Sequence, residues 1–180
     1  MKVVLISGKA RSGKDQSAIF IKQYIENEMH KKAVIIKYGD FLKGFLEKSI
    51  GWNGKKDEAG RTLLQKWGTD IIRKSYEFTF TDMMIAILKG ICMEFDYAII
   101  SDVRFPNEAD EIKSSFDSVT VRIERDCKNY CLTKEQMNHP SETAMDNYDF
   151  DAYIYNKFDL KTLEKVCYNF CKFYLYIVRD

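Results

Sequence analysis

The chain is poor in proline and glycine, with two and nine in 180 residues. No Pro- or Gly-rich stretch marks a linker, and there is no internal repeat or low-complexity tract. One domain with a substantial core is therefore expected. No apolar run reaches the length of about 18 residues that suggests a membrane span. The first residues already read as a strand rather than as a secretory leader. A cytoplasmic protein without a membrane partner is the resulting expectation. Net charge is also nearly absent, since 28 Lys and Arg face 27 Asp and Glu. No overall field points to a nucleic-acid polymer or an anionic surface. The five cysteines are an odd number, which favours free thiols in a reducing compartment. Cys167 and Cys171 lie one helical turn apart in an aromatic, apolar segment and are expected in the core. Cys127 and Cys131, with His139 nearby, lack a fourth ligand and a strong zinc spacing. The oligomeric state stays open, a homodimer included.

Near the N-terminus, Gly8-Lys9-Ala10-Arg11-Ser12-Gly13-Lys14 spells the phosphate-loop pattern G-x-x-x-x-G-K, followed by Asp15 where Ser or Thr is usual. The setting supports the motif. Val3-Val4-Leu5-Ile6 is an apolar run suited to a buried parallel strand, and Ala18, Ile21, Ile25 and Met29 recur at helical spacing. Strand, loop and helix thus follow in the required order, and loop N–H groups with the positive helix end can surround a phosphate. Gly8 and Gly13 permit conformations that a Cβ hinders. Lys14 places a positive charge on the β and γ phosphates. Asp15 has two readings: a ligand to Mg²⁺, directly or through water, or an acidic residue that complements the helix dipole.

Four more strand patterns follow, at Ala33–Ile36, Tyr97–Ile100, Val119–Ile123 and Ala152–Tyr155, with helical segments near 41–49, 61–74, 78–94, 106–116 and 158–177. This alternation predicts an α/β fold, a five-stranded parallel sheet flanked by helices in three layers. Ligands in such sheets bind beyond the carboxyl ends of the strands. The polar residues there include Asp40 and Lys43 after the second strand, Ser101, Asp102 and Arg104 after the third, Arg125 after the fourth and Asn156 after the fifth. Asp102 lies where a Mg²⁺-associated carboxylate is often found; a structural pair with Arg104 or Lys14 is the alternative. The polar segment 125–147 is long for a connection, so a lid is expected, against a solvated surface loop. It contains Arg125, Lys128, Lys134, His139 and Glu142. In the segment 61–73, Leu64, Trp67 and Ile71 form an apolar face. Arg61, Gln65, Asp70 and Arg73 carry polar groups suited to a phosphate or a base edge, and a half-buried amphipathic helix is the plainer reading.

Taken together, Ser7-Gly8, Ser12-Gly13-Lys14-Asp15, Gln65…Gly68-Thr69-Asp70, Ser101-Asp102-Val103-Arg104 and His139…Ser141-Glu142 resemble the bacteriophage-type deoxynucleoside monophosphate kinases. The S-G-x-x-x-S-G-K-D loop and the L-x-Q-x-x-G-T-D helix are separate matches. The resemblance implies a phosphate-loop NTPase fold with a core of 1–38 and 96–180, an acceptor-binding helical region of 39–95 and a lid near 125–147. It implies ATP- and Mg²⁺-dependent phosphorylation of a deoxynucleoside monophosphate to the diphosphate. In that scheme Gly8, Lys9, Ala10, Arg11, Ser12, Gly13, Lys14 and Asp15 hold ATP. Asp40, Lys43, Arg61, Gln65, Asp70, Arg73, Asp102 and Arg104 surround the acceptor. Lys14, Arg104 and Arg125 serve the transferring group, Asp15 and Asp102 the metal, and His139 and Glu142 the lid. The segment before Arg61 is shorter than in the larger phage enzymes, and the lid has few arginines. Phosphomevalonate kinases of the animal type share the G-K-D loop, so a small-molecule phosphate is an alternative acceptor. A nucleotide-binding switch without an acceptor is the reading from another class; it lacks a recognisable switch region here.

Overall fold

The computed structural model describes residues 1–76, 78–125, 132–157 and 159–176. Five strands, β1 (Lys2–Ser7), β2 (Ala33–Ile36), β3 (Tyr97–Val103), β4 (Ser118–Glu124) and β5 (Ala152–Tyr155), form one sheet in the order β2-β3-β1-β4-β5. Every pairing is parallel. β1, which leads into the phosphate loop, is therefore central, as the expected fold requires.

Both sheet faces are covered. Val4, Ile6 and Ile99 point into one core, with Ile21 and Ile25 of α1 (Lys14–Asn27) and Leu163 and Cys167 of α8 (Leu160–Tyr174). Val3, Leu5, Ala98 and Ile100 point into the other. There they meet Leu42 and Leu46 of α2 (Tyr38–Ile50), Met84 and Leu88 of α4 (Thr79–Ile91) and Ile112 of α5 (Pro106–Ser115). This explains the unbroken apolar runs of the inner strands, since both side-chain rows of a doubly covered strand leave water. Cys167 and Cys171 are fully buried, and burial pushes the Cys167 thiol up to about 12 and raises that of Cys171 as well.

Some boundaries differ from the sequence reading. β3 continues beyond Ile100 through Val103, so Ser101 and Asp102 belong to the strand. Its pairing with β1 shifts by one residue, from Leu5↔Ile100 to Ser7↔Val103, and Ser7 Oγ donates to the Val103 carbonyl at 2.8 Å. Such irregularities re-aim side chains beside binding sites. The expected helix over 61–74 begins earlier, as α3 (Glu58–Gln65) capped by Asp57, and widens into a π-helical stretch over Lys66–Arg73. π-helical turns are uncommon and cluster at functional sites. Segment 125–147, read as aperiodic, carries two short helices, α6 (Lys134–Asn138) and α7 (Pro140–Thr143). Cys127, Lys128 and Cys131 lie outside the described residues.

Candidate active site

The loop from Gly8 to Gly13 turns through left-handed backbone. Gly8 has φ 145°, Arg11 φ 61° and Gly13 φ 103°. A Cβ on Gly8 would lie 2.4 Å from the Ile123 carbonyl oxygen, and one on Gly13 2.5 Å from Asn156 Nδ2. Asn156, at the end of β5, donates to the Ser12 carbonyl at 2.8 Å and so anchors the loop from below. Gly13 starts α1, whose first residue is Lys14. The Lys14 ammonium donates to the carbonyls of Gly8 and Lys9 at 2.7 and 2.8 Å. Burial, with the nearby Arg104 charge, lowers its pKa to about 8, against the raising effect of Glu142, Asp15 and Asp102.

A cavity of about 360 Å³ opens beside this loop. Among the described residues, eight cationic side chains line it: Arg11, Lys14, Lys37, Lys43, Lys56, Arg61, Arg73 and Arg104. Four carboxylates face them: Asp15, Asp102, Glu108 and Glu142. A chain with almost no net charge thus gathers a local positive excess, the field that concentrates an anionic ligand. Leu42, Leu64, Phe80, Phe105 and Leu132 supply apolar lining.

The carboxylates have distinct partners. Asp102 accepts the backbone N–H groups of Tyr38 and Gly39, each at 2.8 Å, and thereby caps α2 from another strand. Burial raises its pKa, and the two amides and the Arg104 charge oppose that. The capping amides replace the Arg104 or Lys14 pair considered from sequence. Asp15 pairs with Lys37 at 2.6 Å. Burial alone would raise its pKa, but the hydrogen bond and charge of Lys37 bring it below the usual value. Glu142 accepts from Ala10 N–H at 2.9 Å and pairs with Arg104, whose guanidinium also donates to the Ser141 carbonyl at 2.8 Å. Arg104 and the Ala10 amide hold the Glu142 pKa low despite burial. Lys9 reaches the same segment, at 2.8 Å from the Glu142 carbonyl and 2.6 Å from Asp146.

The cavity thus unites Ala10, Arg11, Lys14, Asp15, Lys43, Arg61, Gln65, Arg73, Asp102, Arg104 and Glu142 from the sequence reading. Among the described residues, Gly8, Lys9, Ser12 and Gly13 of the loop do not line it, and neither do four residues outside the loop. Arg125 is exposed just past β4. Asp40 is exposed and pairs with Lys43 at 2.5 Å, and exposed Asp70 pairs with Lys74 at 3.4 Å. His139 caps α7, its Nδ1 accepting the Ser141 N–H at 3.2 Å, and burial lowers its pKa.

Sequence reasoning missed Lys37, Lys56, Glu108 and Gln136. Lys37 follows β2 directly, a position the strand-end rule singles out. Glu108 is the third residue of a helix opened by Pro106, a start signal that could have found it. Gln136 is buried and donates to the Glu58 carbonyl at 3.1 Å and to Thr62 Oγ1 at 3.0 Å. Gln65 donates to the Gln136 carbonyl at 3.2 Å. Segment 132–146 therefore touches α3 at Gln136 and the phosphate loop at Glu142.

Asp15 and Asp102, two of the cavity's carboxylates, are the donor type that a hard divalent cation takes, with phosphates and water completing its shell. Among the described residues no group of three or more His, Cys, Asp or Glu converges on a metal position.

No family model matches the chain. In sequence it is similar to the deoxynucleoside-5'-monophosphate kinase of Escherichia phage T5, with 29% identity over 117 residues. That match covers 62% of this chain and 45% of the phage protein, so the chain spans about half the length of the curated relative it matches. In structure it is similar to an unliganded sugar kinase from Janibacter sp. HTCC2649, with TM-score 0.55 and 9% identity over 99% of this chain and 96% of that one. A shikimate kinase from Bacteroides thetaiotaomicron gives TM-score 0.52 and 10% identity, covering 96% and 97%. The Mycobacterium tuberculosis APS kinase in complex with AMPPNP and APS gives 0.51 and 11%, covering 95% and 97%. The chain thus has the phosphate-loop NTPase fold found in these kinases, and its likeness in sequence is to a phage deoxynucleoside monophosphate kinase.

Proposed function

We propose that the protein transfers the γ-phosphoryl group of ATP to the phosphate of a (deoxy)nucleoside monophosphate, giving the diphosphate. One observation carries this reading. The phosphate loop and a second cationic group, Lys43, Lys56, Arg61 and Arg73, line the same cavity, with Arg104 also on its wall. A nucleotide-binding switch needs the first group; a second cationic group suits an anionic acceptor. The likeness to the phage enzyme supports the choice of acceptor.

An acceptor phosphate is already an anion and needs little base catalysis. The difficulty is to bring two polyanions together, and the catalytic task is positioning and charge stabilisation. The loop amides and Lys14 hold the β and γ phosphates of ATP. Arg61 and Arg73 hold the acceptor phosphate, and Arg104 neutralises charge on the group in transit. Asp15 and Asp102 would hold Mg²⁺, which supplies charge neutralisation at the phosphates when bound. The segment carrying Gln136 and Glu142 acts as a lid, since it joins the acceptor helix to the loop. Exclusion of water favours transfer over hydrolysis.

A coupled assay with ATP, Mg²⁺ and each nucleoside monophosphate in turn tests the proposal. Diphosphate formation is expected with at least one of them. ATP hydrolysis indifferent to every acceptor would instead support the switch, and turnover of phosphomevalonate alone would support the other kinase.

A further inference from the structure

Glu108 is only 2% exposed, and both of its carboxylate oxygens are engaged. One accepts from Arg73 at 2.5 Å. The other accepts the backbone N–H of Arg104 at 2.7 Å and of Phe105 at 3.2 Å. The Arg73 guanidinium also lies over the Phe105 ring, 4.0 Å from its centroid, and 5.5 Å from the centroid of Phe80. An ion pair and two aromatic rings therefore fix the plane of the guanidinium. Its Nε and its other terminal nitrogen are buried without a hydrogen-bond partner among the described residues, and the side chain lines the cavity. Buried donors left unpaired are costly. An oxyanion is the ligand that satisfies a guanidinium held in this way.

We propose that Glu108 is a positioning residue that presets Arg73 for the acceptor's phosphate and, through the Arg104 amide, registers it with the transfer side of the cavity. This rests on the kinase reading above. A side chain fixed before binding loses less rotamer freedom when its ligand arrives. The π-helical stretch that ends at Arg73 and the helix start at Pro106 come from distant parts of the chain, and Glu108 joins them. Without its charge, Arg73 keeps its stacking plane and loses the contact that sets its rotation within that plane.

The test compares wild type with Glu108→Gln, which keeps the shape but turns one acceptor into an amide donor. Nucleoside monophosphate binding is measured by calorimetry, and KM is measured separately for acceptor and ATP, with thermal unfolding as the fold control. The acceptor KM and Kd are expected to rise about tenfold or more, the scale for losing a hydrogen bond to a charged group. The ATP KM should stay within about twofold. Arg73→Lys should give a similar acceptor-selective loss, and Glu108→Gln added to it should cost little more. If Glu108→Gln does not fold, Phe105→Leu removes the stacking plane, leaves the carboxylate and should give the same selective loss. An unchanged acceptor KM, or parallel losses for acceptor and ATP, overturns the positioning role while leaving the kinase reading in place. A wild type that neither binds nor phosphorylates any nucleoside monophosphate overturns both.

Discussion

Glu142 and Arg104 form an ion pair beside the phosphate loop, and the second carboxylate oxygen of Glu142 takes the Ala10 N–H at 2.9 Å. One carboxylate therefore engages two groups, a loop amide and an arginine, that an incoming phosphate would also seek. Glu142→Gln should weaken both contacts and remove a negative charge from the cavity. ATP is expected to bind about three- to tenfold more tightly, and the unfolding temperature to fall by a few degrees. Glu142 has a depressed pKa in the folded protein, so its stabilisation is present above its unfolded value and is lost as pH falls through the folded one. The variant should therefore also lose part of the acid-side decline in stability. Calorimetric ATP titration and melting curves from neutral to acid pH decide the matter. Weaker ATP binding by a folded variant would show that Glu142 supports the nucleotide rather than competing with it.

Lys14 is expected to limit activity on the alkaline side. Its pKa is lowered to about 8, chiefly by burial. Raising pH through that value removes the charge that meets the phosphates. kcat/KM for ATP reports the free enzyme, so it should decline with an apparent pKa of about 8. kcat reports the complex, where neighbouring phosphates hold the proton on, and should decline at higher pH. The stability sign is opposite. The folded protein binds fewer protons than the unfolded chain between about 8 and the ordinary lysine value, so this group's penalty is relieved as pH rises. Lys14→Ala should abolish transfer with the fold intact. A flat kcat/KM profile from neutral to strongly alkaline pH would remove the argument.

Asp15 pairs with Lys37 at 2.6 Å, and this contact frames the test of its metal role. If its carboxylate holds Mg²⁺, then Asp15→Ser, which restores the commoner loop residue, should shift the Mg²⁺ concentration for half-maximal rate by about tenfold. Lys37→Met should shift it the other way, because the cation then has no competitor for that oxygen. Magnesium titrations at saturating ATP give the readout. Identical Mg²⁺ dependence in all three proteins would leave Asp15 as a helix-start acid with a lysine partner.

The sheet was legible because its signals are local. Val3–Ile6 and Tyr97–Ile100 are short apolar runs with turn signals around them, and parallel strands buried on both faces read that way. The loop was legible because its glycines meet backbone requirements that other residues fail. The start of α2 was not, because its cap is Asp102, on a strand far away in sequence. Nor was the role of Glu108, whose partner Arg73 lies 35 residues earlier. The resemblance puts Asp70 beside the acceptor, but the segment is π-helical from Lys66 to Arg73, which changes which side chains share a face, and Asp70 pairs with Lys74 at the surface. The sequence shows that a residue is charged; only packing shows which partner it meets.

Gly13 and Asn156 provide a test of the loop's support. Gly13→Ala puts a Cβ into left-handed backbone and 2.5 Å from Asn156 Nδ2, and such strain costs on the order of 1–3 kcal/mol. Asn156→Ala removes the donor at 2.8 Å from the buried Ser12 carbonyl, which costs about 1–3 kcal/mol when the acceptor is left unsatisfied. The two losses should not add. Removing the amide opens the space that the new methyl group needs, so the double variant should lie above the sum of the singles by about 0.5 kcal/mol or more. The left-handed strain remains in either background, so the rescue is partial. Urea unfolding of the four proteins measures the difference, and kcat/KM for ATP should fall in both single variants because the loop amides lose their setting. Strict additivity would mean that the amide and the glycine support the loop independently, with the backbone conformation alone making Gly13 necessary.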